Sequence, residues 1–343
     1  MAAGHDEVAL TQEDPVTTSD TLRRPPYDPE LAAVLSVIGE QLPPTLTPEM
    51  IPLMREAPLA VPLEQVLEGR AVTHDEFTVP GYEDAEIVVS VFRRTDHTAG
   101  GPAIFHIHGG GMIIGDRFTG ADACVEWVER YDAVVASVEY RLAPEHPDPV
   151  PLEDCYAALQ WFVTQGDTLG FDAGRVVVAG GSAGGGLSAG VALLCRDRGG
   201  PALIGQLLMC PMIDDRNVTV SSHQYVGMGI WDRGSNDTGW DAYLGDRRGT
   251  DDVSIYASPS RATDLSGLPP AFIDVGSAEV FRDEDVAYAT QIWADGGVAE
   301  LHVWPGGFHG FQMMGGAATL ARISVEAQQS WLDRILGHVA GDA

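Results

Sequence analysis

What most limits how this chain can fold is an alternation. Apolar runs rich in β-branched residues recur at TVP/EIVVSVF (78–92), AIFHIHG (103–109), AVVASVEY (133–140), RVVVAGG (175–181), LIGQLLMCPM (203–212), AFIDVGS (271–277) and AELHVWPG (299–306). Between several of them lie segments of helix length: GADACVEWVERY, LEDCYAALQWFVTQ, AGGGLSAGVALLCRDR and DEDVAYATQIWADG. Strands that alternate with helices build a mostly parallel central sheet flanked by helices on both faces, so the expected class is α/β. A closing helix is expected over about residues 319–337.

Two stretches fall outside this rhythm. Residues 1 to about 26 are polar and without periodicity, and from Pro29 to Gly69 short helical stretches are broken by prolines. Residues 1–75 therefore read as a tail followed by part of a helical cap, and 76–343 as the α/β domain. Inside that domain residues 214–262 are polar, rich in Gly, Asp and Trp, and carry no strong strand. So long an irregular insertion in an α/β fold usually carries function, here as a second contribution to the cap.

Composition removes several function classes. Of 343 residues 45% are hydrophobic, enough for a large core, yet no apolar run reaches the roughly 18 residues that cross a bilayer. The formal net charge is −30, and all 20 basic residues are arginine. Such a surface repels nucleic acid and anionic lipid, so neither a nucleic-acid partner nor stable membrane insertion is expected. Without lysine there is no Schiff-base chemistry and no GK[ST] phosphate loop. The four cysteines (Cys124, Cys155, Cys195, Cys210) lack CxxC spacing and read as buried thiols. The acidic N-terminus lacks the charged-then-apolar pattern of a signal peptide, which points to the cytoplasm.

The chemistry gathers around one serine. In VVVAGGSAGGGLSAG (176–190) a strand runs into glycines and then a helix, and Gly180-Gly181-Ser182-Ala183-Gly184 matches the G-x-S-x-G nucleophile elbow. Small neighbours are required because the serine occupies a sharp, strained turn. The helix that follows offers free amides and its positive end to a developing oxyanion. Upstream, HIHGGGMIIGD (106–116) sets three glycines after a strand, where backbone N–H groups can face a substrate oxygen. His106 and His108 also form an H-x-H pair, but no third ligand follows at zinc spacing, so no metal is expected. A serine nucleophile needs a base and an acid, in the order Ser, Asp/Glu, His. His309, in the loop VWPGGFHGF just after the last strand, is the expected base. For the acid, Glu279 falls just beyond a strand end and is favoured, with Asp283 as the alternative.

HGGG (108–111), YRLAPEHP (140–147), GGSAGGG (180–186), FRDED (281–285) and FHGF (308–311) occur in the order found in the hormone-sensitive-lipase-like family of α/β-hydrolases, which the chain resembles over about residues 75–340. The resemblance implies an α/β-hydrolase fold with a helical cap, Ser182 as nucleophile, His309 as base, and an oxyanion hole from the N–H groups of Gly109, Gly110 and Ala183. It sets Glu279 where the family usually has aspartate. Gly181 replaces an acidic residue or threonine, and Met112 an aromatic, so substrate preference is not inherited. The implied activity is a serine carboxylesterase acting on short- to medium-chain acyl esters, with no metal or organic cofactor. The same machinery also serves lactones, thioesters, carbamates and amides. A non-catalytic ligand-binding homologue is the reading from another class, and family members of that kind lack the histidine present here. The last strand of such a sheet is an edge through which a homodimer could form.

Overall fold

The computed structural model describes residues 22–40, 42–56 and 60–337, so most of the segment read as a tail, and His338, lie outside the described residues. Among the described residues eight strands make one sheet: β1 (Val72–Pro80), β2 (Glu86–Arg94), β3 (Gly101–Ile107), β4 (Val134–Glu139), β5 (Phe171–Gly181), β6 (Gly205–Met209), β7 (Ala271–Gly276) and β8 (Ala299–Trp304). Their order is β1-β2-β4-β3-β5-β6-β7-β8. β1 and β2 pair antiparallel, as do β2 and β4, and every later neighbour is parallel. The single run expected over 78–92 is in fact the end of one strand, a turn and a second strand. β1 begins at Val72 and is obscured in sequence by His74, Asp75 and Glu76, since an edge strand keeps one side in water.

The described helices are α1 (Pro29–Ile38), α2 (Ile51–Glu56), α3 (Leu63–Leu67), α4 (Ala121–Tyr131), α5 (Val150–Thr164), α6 (Gly166–Leu169), α7 (Ala183–Arg198), α8 (Val220–Gln224), α9 (Arg233–Leu244), α10 (Arg282–Ala294), α11 (Phe311–Met314) and α12 (Thr319–Ile335). Side chains alternate along each strand and so divide two cores. Ile104, Val135, Val177, Leu207 and Phe272 pack with Val125 and Val128 of α4 and Leu332 of α12. On the opposite face Phe105, Val178 and Val138 pack with Leu159 of α5 and Leu187 of α7, while Ile273 meets Ile292 of α10. Each such side chain, fully withdrawn from water, contributes roughly 1.5–3 kcal/mol. Among the described residues no helix is long and apolar enough to cross a membrane.

Between β3 and β5 the strand order reverses: the chain leaves β3 for β4 on one side and returns to β5 on the other. A crevice opens beyond the carboxyl ends of strands at such a point. Over it lie two segments far apart in sequence. Asp232, the N-cap of α9, accepts from Thr45 Oγ1 (2.8 Å), the Gly227 N–H (2.7 Å) and the Ser235 N–H (2.8 Å). Ser235 Oγ in turn accepts the Leu46 N–H at 2.8 Å, and Thr238 Oγ1 donates to Leu46 O at 2.8 Å. The stretch 214–262 is thus less irregular than its composition implies. Helix α9 is hard to see in RGSNDTGWDAYL because its first half buries Ser235, Asn236 and Thr238 through hydrogen bonds, and its apolar face of Trp240, Tyr243 and Leu244 is confined to the second half.

Candidate active site

Ser182 stands between the last residue of β5 and the first of α7 with φ 56° and ψ −123°, a conformation that costs about 1–3 kcal/mol in a non-glycine residue. Hydrogen bonds on both sides hold it there: its N–H donates to Met209 O (2.8 Å), and its carbonyl accepts from Gly186 (3.0 Å) and Met212 (2.9 Å). The strain is tolerable because α7 docks tightly under the loop that follows β3. A Cβ on Gly184 would lie 2.0 Å from Ile107 O, closer than any real contact, so the close approach needs glycine. The same closeness brings the two glycine-rich segments together: a Cβ on Gly109 would stand 3.4 Å from the Ser182 Cβ.

The loop HGGG is braced from below. His108 stacks on Tyr140 with ring centroids 4.2 Å apart, its Nδ1 donates to Gly109 O at 2.8 Å, and Tyr140 Oη donates to His108 O at 2.9 Å. His108 therefore orders its own loop. The N–H groups of Gly109, Gly110 and Ala183 donate to no acceptor among the described residues. That leaves three amides free beside Ser182.

His309 and Glu279 meet because the loops that follow β7 and β8 cross. A Cβ on Gly276 would fall 2.0 Å from Gly307 O, and the Ala278 N–H donates to Gly307 O at 3.0 Å, locking the two loops together. Glu279 takes the Gly276 N–H on Oε1 (3.0 Å) and His309 Nδ1 on Oε2 (2.6 Å). Since a carboxylate only accepts, the proton sits on Nδ1, and Nε2 is left to accept from Ser182 Oγ at 2.9 Å. Phe281 stands edge-on to the imidazole at 5.0 Å and restrains its tilt. Ser182, His309 and Glu279 are 7%, 6% and 2% exposed, so this hydrogen-bonded relay lies out of bulk water. Asp283 is not part of it. Its carboxylate takes the Ser221 N–H (2.7 Å) and Arg282 Nε (2.8 Å), which fastens α10 to α8.

Further carboxyls lie behind Glu279. Burial raises the Asp274 carboxyl to about 6, against the pull of Gln328, Gln312 and Trp304, which all donate to it. Asp285 is wholly buried with neither oxygen hydrogen-bonded among the described residues, and burial followed by repulsion from Glu284 pushes it well above the usual range. A raised carboxyl means the native state keeps a proton that the unfolded chain releases above about pH 4. Stability is therefore lost as pH climbs from the unfolded value through the folded one. Asp285→Asn removes this loss, so it is expected to raise Tm by roughly 3–6 °C at pH 8 and hardly at all near pH 4. Thermal melts at the two pH values check this; equal shifts at both would refute the cause.

Cys210 lies next to the relay, its thiol within 4.8 Å of ligand atoms of Glu279 and His309. The set does not fit a metal ion. Both ring nitrogens of His309 are engaged, and burial raises the Cys210 thiol so that it holds its proton. All four cysteines are free and buried.

A cleft of about 1190 Å³ opens on Ser182, His309 and the Gly109–Gly110 amides. Trp231 and Ile230 from the insertion and Leu46 from the N-terminal segment form one wall, and Met209 and Met313 another. Sequence alone did not mark Trp231, Met209 or Met313 for the site, because their placement depends on which loops meet. Gly181 is different from its neighbours: a Cβ there would make only ordinary contacts, 3.6 Å to Met313 Cε and 3.8 Å to Met209 Cβ. Its missing side chain is space in the cleft, not a demand of the backbone.

A family model for the alpha/beta hydrolase fold matches residues 104–313. Carboxylesterase NlhH of Mycobacterium tuberculosis is 35% identical over 314 residues, 86% of this chain and 91% of that protein. Esterase LipI of the same organism is 35% identical over 224 residues, 59% of this chain and 62% of its own length. Among solved structures, a bacterial heroin esterase superposes with a TM-score of 0.82 at 35% identity, covering 90% of this chain and 98% of that one. Esterase LipW from Mycobacterium marinum does so with 0.80 at 31% identity, covering 91% and 98%. With its sheet order, its switch-point crevice and these relatives in agreement, the chain belongs to the hormone-sensitive-lipase-like family of α/β-hydrolases.

Proposed function

We propose that the protein is a serine carboxylesterase that hydrolyses short- to medium-chain acyl esters through an acyl-enzyme. The observation that carries this is the hydrogen-bonded relay from Glu279 through His309 to Ser182, with three unpaired amides alongside. The names of its relatives, carboxylesterase and esterase, agree with it.

In this mechanism His309 Nε2 takes the Ser182 proton as Oγ attacks the ester carbonyl. Charge moves onto the carbonyl oxygen, where the amides of Gly109, Gly110 and Ala183 are aimed; donors of this kind are worth roughly 2.7–4 kcal/mol each. Imidazolium forms beside Glu279, which holds the ring in the Nδ1–H tautomer and offsets the new charge. The proton then passes to the leaving alkoxide. Water repeats the attack on the acyl-enzyme with His309 as base, which frees the acid and restores Ser182. The segments around Leu46 and Trp231 act as the cap, closing the cleft over the acyl group.

A fluorophosphonate probe tests the reading directly. One probe per chain should attach, at Ser182, and p-nitrophenyl esters should be hydrolysed best at about four to eight acyl carbons. Absence of labelling in folded protein would overturn it.

A further inference from the structure

The cleft does not end at Ser182. Its lining includes Gly181 and Met209, then His106 and Gly120, and residues of α4 and α12 such as Glu126 and Arg322, and this part forms a second arm. The strand period explains its course. His106, Gly181 and Met209 fall on the same sheet face as Ile104, Val177 and Leu207, the face covered by α4 and α12. Ala179 and Gly181 offer almost no side chain at this end of β5, so the floor beneath the two helices is left open. His106 pairs with Ala179, three residues before Ser182, which sets its backbone roughly 10 Å from that of the nucleophile along the strand direction.

The protonation of His106 follows from its neighbours. Ser137 Oγ donates its one proton to Arg117 O at 2.7 Å, because a carbonyl only accepts. His106 Nδ1, 3.0 Å from the same Oγ, must therefore be the donor in that contact. Burial keeps the ring neutral, with its pKa lowered to about 3, so Nε2 carries a lone pair and no proton. Only 4% of His106 is exposed, and Nε2, which lines the cleft, has no partner among the described residues. Trp127 stands edge-on to the ring at 6.1 Å. The surrounding lining is mixed: Met209, Met313 and Val325 supply apolar surface, and Thr119, Asp122, Gln328 and Gln329 supply polar groups.

We propose that this arm is a substrate subsite in which His106 Nε2 accepts a hydrogen bond from a hydroxyl or N–H carried by the ester at a distance from the scissile carbonyl. The proposal rests on the esterase reading and adds the chemical class of substrate. A plain hydrocarbon chain that displaces water from this acceptor leaves it unpaired and is penalised, while a donor of the right reach satisfies it; sites of this type discriminate more strongly than purely apolar ones. The fixed tautomer sets the sign, since His106 at this position can accept but not donate.

The test uses two series of esters. In one, p-nitrophenyl alkanoates of about four to ten carbons are compared with the same chains bearing a terminal hydroxyl; in the other, butanoates of simple alcohols are compared with butanoates of the matching diols. The readout is the ratio of kcat/KM for the hydroxylated over the plain member, taken within each protein. At one chain length, in one series, the wild-type ratio is expected to reach about tenfold, and the series in which it appears identifies the acyl or the alcohol part as the occupant. In His106→Leu the ratio should fall below one, because the hydroxyl is then buried without a partner. Ser137→Ala, which frees the tautomer, should also lower it. A wild-type ratio of one or less at every length in both series, or an unchanged ratio in His106→Leu, overturns the proposal. Failure of the esterase reading would look different: Ser182→Ala would still hydrolyse plain butanoate at the wild-type rate.

Discussion

Ser182→Ala is expected to lower kcat for p-nitrophenyl butanoate by roughly 10⁴–10⁶, with little change in the circular dichroism spectrum or Tm. The size of the loss follows from the relay. Without Oγ, His309 has nothing to activate at the required position, and only the free amides of Gly109, Gly110 and Ala183 remain to favour the transition state. Glu279→Gln should cost about 10⁴ for a different reason. A carboxamide N–H in place of the carboxylate opposite Nδ1 favours the other tautomer, and His309 would then carry its proton on the nitrogen facing Ser182. Because these residues act as a unit, the double variant should be no slower than Ser182→Ala alone. Asp283→Asn makes the control. It weakens the link between α10 and α8 and should leave kcat within about threefold. Stopped assays on the four purified variants beside wild type decide the matter; turnover of Ser182→Ala within tenfold of wild type, or a larger loss in Asp283→Asn than in Glu279→Gln, would reassign the roles.

Gly184→Ala carries the second large expected effect, and it is on folding. The added methyl would sit 2.0 Å from Ile107 O and 2.6 Å from His108 O, both backbone atoms that cannot swing aside. Nor can the helix retreat, since every residue of α7 from Ala183 to Cys195 is buried. Overpacking against fixed backbone in such a place costs more than about 4 kcal/mol, so Tm should fall by roughly 10 °C or more, or soluble protein should be lost. Gly181→Ala, on the other side of Ser182, is the contrast. Its methyl meets only Met313 and Met209 at ordinary distances, so the Tm should move by about 2 °C at most. Parallel melts compare the two; a Gly184→Ala protein as stable as Gly181→Ala would mean that α7 is not held against β3 as described.

Much of this protein is legible in its residues because the demands are local. Strand runs and helix-length segments repeat with periods that backbone geometry imposes, and the α/β class follows from them. The elbow announces itself because a serine in a left-handed turn tolerates few neighbours, and the amide loop because three glycines after a strand have few other uses. Even His309 is marked by its loop. The acid carries a weaker signal. Glu279 is favoured by its place just beyond a strand end, with Asp283 close by as the alternative, and the crossing of Gly276 under Gly307 is what brings Glu279, and not Asp283, to the imidazole.

The edge strand β1 is hidden because one of its sides stays in water, and helix α9 because its polar residues are satisfied by partners far away in the chain. His106 is the clearest case. In sequence it is half of an H-x-H pair that raises the thought of a metal. In the fold β3 ends between the two rings: His106 turns to Trp127 on the α4 side of the sheet, and His108 to Tyr140 in the opposite core. Sterics and periodicity act over a few residues, and they were enough to declare the class, the elbow and the loops that can serve it. How the acid reaches the histidine, and what lines the cleft, emerged only from the folded chain, because both depend on side chains converging from strands and loops that lie far apart along it.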